Sequence, residues 1–385
     1  MKNMKRKIIA FLLLICVCCL CACTGEKTNA PALSDMTVTG SMELKYAEQF
    51  SVDYYDGSYA LIKIKNDRSF LLVPEGKDVP DGMEEITVIR QPLDNIYVAA
   101  SSAMDLIDGI GRLGCVAMTS TSLNDWNLPN VIAAIENGSM LYAGKYSSPD
   151  YELILSERCS LALESTMIYH SPDIKEQLEN LGIPVMVERS SYEPHPLGRL
   201  EWIKLYGLLM GAEEEAEAFF SEKEKLFADI LADEAAVEEK RKTVAFFYIS
   251  SNGYVNVRKP GDYISKMIEL AGGRYIFSSD DLDTDENELS TMNLQMEIFY
   301  EKAKDADIII YNSTIDGELQ TLEQLLDKSS ILADFKAVKE GNVWCTGKNM
   351  YQQTTGTADM IHDIHMVIKG EAGGEKKTQF LQKLE

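Results

Sequence analysis

Between Ala212 and Lys240 the chain runs AEEEAEAFFSEKEKLFADILADEAAVEEK with no glycine or proline. Ala216, Phe219, Phe220, Phe227, Ile230, Leu231 and Ala235 recur there at three- and four-residue steps with Glu and Lys between them. That spacing predicts one apolar face of a long amphipathic helix. At 1.5 Å per residue it would extend roughly 40 Å, enough to cross one small domain and reach another. Strand and helix signals alternate before this stretch and again after it. The expected fold is therefore α/β: two Rossmann-like lobes, each built on a mostly parallel sheet covered on both faces, joined by this single helix.

The first lobe is expected over residues 36–211. It opens with a small antiparallel β preface from Met42 to Pro74, where FSVDYY, YALIKIK and FLLVP are separated by the turns Asp56-Gly57 and Asn66-Asp67. Core strands follow at Asn95–Ala100, Cys115–Thr119, Ser139–Tyr142, Leu161–Glu164 and Ile183–Val187, with helices between them. The connector takes 212–240 and the second lobe 241–370. Its strands are expected at Thr243–Ile249, Ala306–Tyr311 and Asn342–Cys345, and its last helix at Asp359–Ile368. Residues 371–385 read as a tail.

The 385 residues are 45% hydrophobic, enough for two ordinary cores. The formal net charge of -24 repels phosphate backbones and argues against nucleic acid as a partner. The amino terminus has a basic start, MKNMKRK, then an apolar run from Ile8 to Leu20 too short for an ordinary transmembrane helix. Leu20-Cys21-Ala22-Cys23 resembles the box at which bacterial lipoprotein precursors are cut and acylated. The resemblance implies a signal peptide over 1–22, lipidation at Cys23, a polar tether over 23–35 and a membrane-anchored, extracytoplasmic protein. Of the eight cysteines, Cys115, Cys159 and Cys345 would remain unmodified, and they are read as small buried apolar residues rather than a disulfide or metal framework.

Several stretches resemble the substrate-binding lipoproteins of ABC importers, in the class that carries ferric siderophores, haem or cobalamin. They are Ser101-Ser102-Ala103-Met104-Asp105, Pro149-Asp150-Tyr151-Glu152, Leu270-Ala271-Gly272-Gly273, Lys304-Asp305-Ala306-Asp307-Ile308-Ile309 and Ala337-Val338-Lys339-Glu340-Gly341-Asn342-Val343. The likeness covers the chain from about Ile86 onward. It implies a monomer that captures a metal chelate or corrinoid between its lobes and delivers it to a permease driven by a separate ATPase, with no cofactor of its own. It also implies one permease-docking carboxylate on each lobe, at Asp105 and Glu297. Two readings from other classes share the layout: a chelatase-like extracellular enzyme, and a lipoprotein sensor or adhesin.

Ligands of two-lobed α/β proteins sit against the loops at the carboxyl ends of the strands. In the first lobe that rule selects Lys145, Tyr146, Ser165, Thr166, Arg189, Ser190 and Tyr192. In the second it selects Asn252, Tyr254, Arg258, Lys259, Asn312, Lys348 and Tyr351. Five of these are basic in an acidic chain, which suits an anionic ligand, and the tyrosines offer flat apolar contact.

No phosphate-binding GxxxxGK[ST] loop, GxSxG elbow or HExxH helix occurs, so no catalytic residue is assigned. His362 and His365 have metal-ligand spacing but are read as part of a solvated polar helix face, His195 as the fastener of a turn, and His170 as a remote candidate for haem ligation. No metal site is expected.

Overall fold

The computed structural model describes residues 32–83, 85–233, 241–281, 291–315, 317–373 and 377–385. The expected export signal, Cys23 and the expected connector's last part, 234–240 with Ala235, lie outside the described residues.

The first sheet is larger than the expected preface. Strands β1 (Val38–Ser41), β2 (Phe50–Tyr55), β3 (Ala60–Ile64) and β4 (Ser69–Val73) form an antiparallel meander, and β5 (Thr87–Arg90) then pairs parallel to β4. One face places Phe50, Val52, Ile62, Phe70 and Leu72 in the main core, while Leu71 and Val73 pack with Tyr59 on the other. Burial on both faces explains why FLLV is a continuous apolar run rather than an alternating one.

The first lobe's sheet holds β6 (Ile96–Val98), β7 (Val116–Thr119), β8 (Leu141–Tyr142), β11 (Ala162–Ser165) and β12 (Val185–Glu188). It is wholly parallel, in the order β12-β11-β6-β7-β8, with β9 (Gly144–Lys145) and β10 (Ser148–Pro149) as a separate hairpin. Helices α1 (Ser101–Gly109), α2 (Pro129–Glu136), α3 (Tyr151–Ser156) and α4 (Pro172–Asn180) supply the crossovers. Asp150 starts α3 by accepting from the Leu153 N–H at 3.0 Å.

Two helices in succession follow. Helix α5 (Pro196–Met210) begins where the His195 Nδ1 accepts from the Leu197 N–H at 3.1 Å, and Pro196 fills a position whose N–H would be unbonded anyway. It ends at Gly211, whose φ of +61° breaks the run before α6 (Glu213–Asp233). In α6, Ala216, Phe220, Phe227 and Ile230 are buried as the periodicity predicts, but Leu231 is 44% exposed.

The second lobe's sheet runs β16-β14-β13-β17-β18-β19, from β13 (Thr243–Ile249), β14 (Val255–Arg258), β15 (Arg274–Tyr275), β16 (Thr291–Leu294), β17 (Ile308–Tyr311), β18 (Val343–Thr346) and β19 (Leu381–Lys383). Its centre, β13-β17-β18, is parallel, as is β15 where it joins β13, while β14, β16 and β19 pair antiparallel. The stretch expected to be a tail thus contributes an edge strand. Helices α7 (Tyr263–Leu270), α8 (Met296–Ala303), α9 (Leu322–Lys328), α10 (Lys336–Lys339) and α11 (Thr357–Lys369) cover the sheet.

Both lobes share helix α5, and α6 also reaches each of them, through Glu215 to Arg112 in the first and Lys223 to Asp359 in the second. Helix α5 touches α1 of the first lobe and α7 and α11 of the second, while α6 lies along α5 and α11. Every α5 residue except Met210 is buried, so its sequence carries no amphipathic stripe. The first sheet is fastened to it by two buried glutamates. Glu201 accepts from the N–H groups of Lys45, Tyr46 and Ala47 at 2.8–3.1 Å, and Glu193 from those of Glu48 and Gln49 at 2.7 and 3.0 Å. Glu193 also takes the Trp202 Nε1–H at 2.8 Å. Gly198 makes room for the loop, since a Cβ there would lie 2.9 Å from the Tyr46 carbonyl oxygen. A contiguous core runs from Phe50 and Ile62 through Trp202 to Ile309.

Candidate ligand-binding cleft

In the first lobe the chain leaves β12 through Arg189, Ser190 and Tyr192. Arg189 is only 4% exposed. Its Nη1 donates to the Tyr169 hydroxyl at 2.8 Å, its Nε to Gln49 Oε1 at 3.3 Å, and its guanidinium lies 4.7 Å from the centre of the Tyr192 ring. Ser190 is wholly buried, and its N–H donates to Glu188 Oε1 at 3.0 Å. Both were expected to face a ligand. Both are instead enclosed, because the first sheet delivers Gln49 over this strand end. The Glu188 carboxylate also takes the Ser102 hydroxyl at 3.0 Å, which fixes the start of α1 to β12.

Beside it, Ser165 is half-buried and caps the turn after β11, accepting from the Met167 N–H at 3.3 Å. Thr166 lies 3.4 Å from the Ser191 hydroxyl. Lys145, in the β9–β10 hairpin, is exposed and Tyr146 half-buried.

The second lobe repeats this division. Arg258 Nη2 donates to the Tyr351 hydroxyl, which also receives Asn312 Nδ2 at 3.0 Å, and Arg258 Nη1 stands 3.5 Å from Asp262. Burial alone would push the guanidinium down, but Tyr351, Asp262 and Tyr263 hold its pKa above the usual value. Three expected ligand contacts thus converge on one hydroxyl, with Asn312 buried at 3% exposure. Asn252, Tyr254 and Lys348 are exposed, and Lys259 is half-buried.

The strand-end loops also carry exposed apolar side chains that residue type alone did not single out. Leu123 follows β7, Tyr142 ends β8, Met167 follows β11, Tyr254 follows β13 and Ile315 follows β17, and each is at least 36% exposed. Their shared position after a strand is the signal that could have found them. Two hollows lie elsewhere. One of about 980 Å3 borders the amino-terminal ends of β13 and β17, and one of about 640 Å3 separates α6 from α11.

The lobes meet at the base of the cleft. Gln352 Oε1 accepts from the Asn127 N–H at 2.7 Å, and its Nε2 donates to the Asp125 carbonyl at 2.7 Å. Asp105 Oδ2 accepts from the Thr355 N–H at 2.7 Å. Asp105 is 6% exposed, and burial raises its pKa to about 6 against the opposing hydrogen bonds from Thr355. The expectation of a docking carboxylate is therefore corrected at Asp105: it ties one lobe to the other and presents nothing to a partner. Glu297, in the first turn of α8, is exposed beside Ile298, itself 55% exposed.

The histidines also differ from expectation. His365 is buried with Nδ1 3.2 Å from the Ala271 carbonyl oxygen, and Asp363 is buried accepting from the N–H groups of Gln379 and Phe380, so that face of α11 is not solvated. His195 does fasten its turn. His170 is exposed, and no group of three metal-ligating side chains occurs among the described residues. Cys115, Cys159 and Cys345 are free thiols, the first two only half-buried.

The family described as "Periplasmic binding protein" matches residues 97–350, well over half of the chain. The chain belongs to the periplasmic binding protein family. Members of this family are solute-binding proteins that deliver their ligands to ABC permeases. A curated relative, an uncharacterized lipoprotein of Methanocaldococcus jannaschii, is 25% identical over 384 residues, covering 92% of this chain and 88% of its own length. Among solved structures, a periplasmic haem-binding protein of Pseudomonas aeruginosa superposes with a TM-score of 0.59 at 16% identity, over 76% of this chain and 99% of that one. A catecholate-siderophore-binding protein of Vibrio cholerae gives 0.54 at 15%, over 72% and 94%. These likenesses establish the shared two-lobed fold. In the periplasmic binding protein described here, the whole first sheet precedes the matched residues.

Proposed function

We propose that this periplasmic binding protein is anchored through a lipid on Cys23 at the outer side of the cell membrane, and that it captures an iron chelate, haem or a corrinoid between its lobes for an ABC permease. The observation that carries the ligand class is the rim. Leu123, Tyr142 and Met167 on one lobe and Tyr254 and Ile315 on the other are large apolar or aromatic side chains exposed on the strand-end loops, flanked by the exposed amines of Lys145 and Lys348. An apolar rim with separated positive charges suits a flat, mostly apolar ligand with acidic substituents. The lipoprotein relative supports the anchor, and the haem and siderophore neighbours support the class.

Arg189 and Arg258 act in this reading as rigid supports beneath the tyrosines rather than as ligand contacts. Glu297 is the docking carboxylate that stays accessible, and α5, packed on both lobes, acts as a strut that keeps the cleft largely preformed. The test is a thermal-shift series against haem, cobalamin and catecholate ferric siderophores, followed by titration of Lys145→Glu and Lys348→Glu. One compound class should raise Tm, and each charge reversal should weaken it by about tenfold with Tm of the free protein unchanged. Absence of any shift across the three classes would overturn the ligand assignment.

A further inference from the structure

Arg199, on α5, is 7% exposed, and its guanidinium stacks 4.0 Å from the centre of the Tyr263 ring. Asp262, next to Tyr263 in the chain, is engaged with Arg258. Among the described residues, the Arg199 Nε is buried without a hydrogen-bond partner, and so is the Thr354 hydroxyl. Both residues line one small cavity, with Met350, Met360 and Phe380 also in its wall and about 10 Å3 open to the centre of a water-sized particle. No carboxylate lines it.

A buried guanidinium that lacks a counter-charge is costly, and a ring face offsets only part of that cost. Two orphaned donors on residues that line one cavity call for an acceptor. The space admits about one particle of water size and so excludes carboxylate, phosphate and sulfate groups. A water molecule would satisfy the hydrogen bonds but leave the charge uncompensated. A monatomic anion satisfies both.

We infer that the cavity between Arg199 and Thr354 is a binding site for a single halide ion, chloride by chemical class. Its occupant would join α5, shared by both lobes, to the turn that carries Gln352 and Thr355 across to the first lobe. Chloride would then stabilise the seam of the closed lobes without entering the ligand cleft.

The decisive measurement is anomalous scattering from crystals of the full chain grown in bromide, read at the Arg199 guanidinium. Thermal unfolding in sodium chloride against sodium gluconate at constant ionic strength gives the solution counterpart, with Arg199→Met and Thr354→Val alongside. We expect a bromide peak within hydrogen-bonding reach of Arg199 Nε and a chloride-dependent rise in Tm on the order of 2–4 °C. Arg199→Met should abolish that rise, and Thr354→Val should shift it to higher chloride concentration. A site occupied only by water, with no bromide peak, would overturn the inference, as would an equal salt response in wild type and Arg199→Met.

Discussion

The two sides of α5 treat buried charge in opposite ways. Toward the first sheet, Glu193 and Glu201 are saturated, with five backbone N–H groups and an indole N–H between them. Toward the second lobe, Arg199 of the same helix has a ring face and an unfilled donor. Saturated charge behaves as a fastener, because removing it strands every donor it served. Unsaturated charge has capacity left for something else. The interlobe seam lies between these extremes, with Asp105 taking a single N–H in a buried setting that favours its neutral form.

The largest effect should come from breaking the fastener. Glu201→Ala leaves the N–H groups of Lys45, Tyr46 and Ala47 without an acceptor, and a loss of about 3–5 kcal/mol in denaturant unfolding is expected. Cleavage within 42–49 by a nonspecific protease should appear together with that loss. If the variant unfolds like wild type, the sheet is held by its apolar face alone.

Asp105→Asn should act in the other direction. A carboxyl raised from 3.8 to about 6 contributes stability that is fully present below pH 3.8 and lost as pH rises through 6. Asparagine keeps an acceptor for Thr355 without the buried charge, so a gain of about 2–3 kcal/mol is expected at pH 7, disappearing near pH 4. Unaltered stability combined with loss of transport would instead restore a docking role.

The smallest of the three concerns His195, the cap of α5. Burial, with Lys266 adding to it, lowers its pKa to about 4, so the folded protein holds the ring neutral while the unfolded chain protonates near 6.5. Stability should therefore fall by about 1–2 kcal/mol as pH drops from 6.5 toward 4, the exposed part of the ring being screened by water. Asparagine at this position can still cap the helix and removes that slope. Asp105 and His195 tilt the stability curve oppositely over nearly the same window, so their single substitutions should rotate it in opposite senses. Parallel curves would show that neither group titrates as described.

Periodicity made most of the second lobe legible: Thr243–Ile249 coincides with β13 and Ala306–Tyr311 contains β17. The edge strands β16 and β19, and β14 beside the first of them, were not foreseen, because a short peripheral strand carries little apolar pattern and takes its identity from a neighbour. The shared role of α5 was equally hidden, since a helix buried on every side has no stripe to read. At the cleft, the strand-end rule reached the correct loops but could not separate exposed from enclosed side chains. Arg189 is closed in by Gln49, which arrives from 140 residues away, and Asp105 by Thr355, from 250 away. Such partners are set by tertiary assembly and leave no local trace.

The loop at 45–49 is gripped through its amide hydrogens, and amide hydrogens are the same whatever side chain stands above them. Recognition of that kind is blind to residue identity. Lys45, Ala47 and Glu48 could drift to almost any residue but proline and the first sheet would still dock, whereas the two glutamates that read the backbone have no such freedom. A chain extended at its amino terminus can thus be kept in register by two fixed positions, one on α5 and one just before it, some 150 residues further along, which places the evolutionary constraint on the receiver and leaves the attached segment free to diversify.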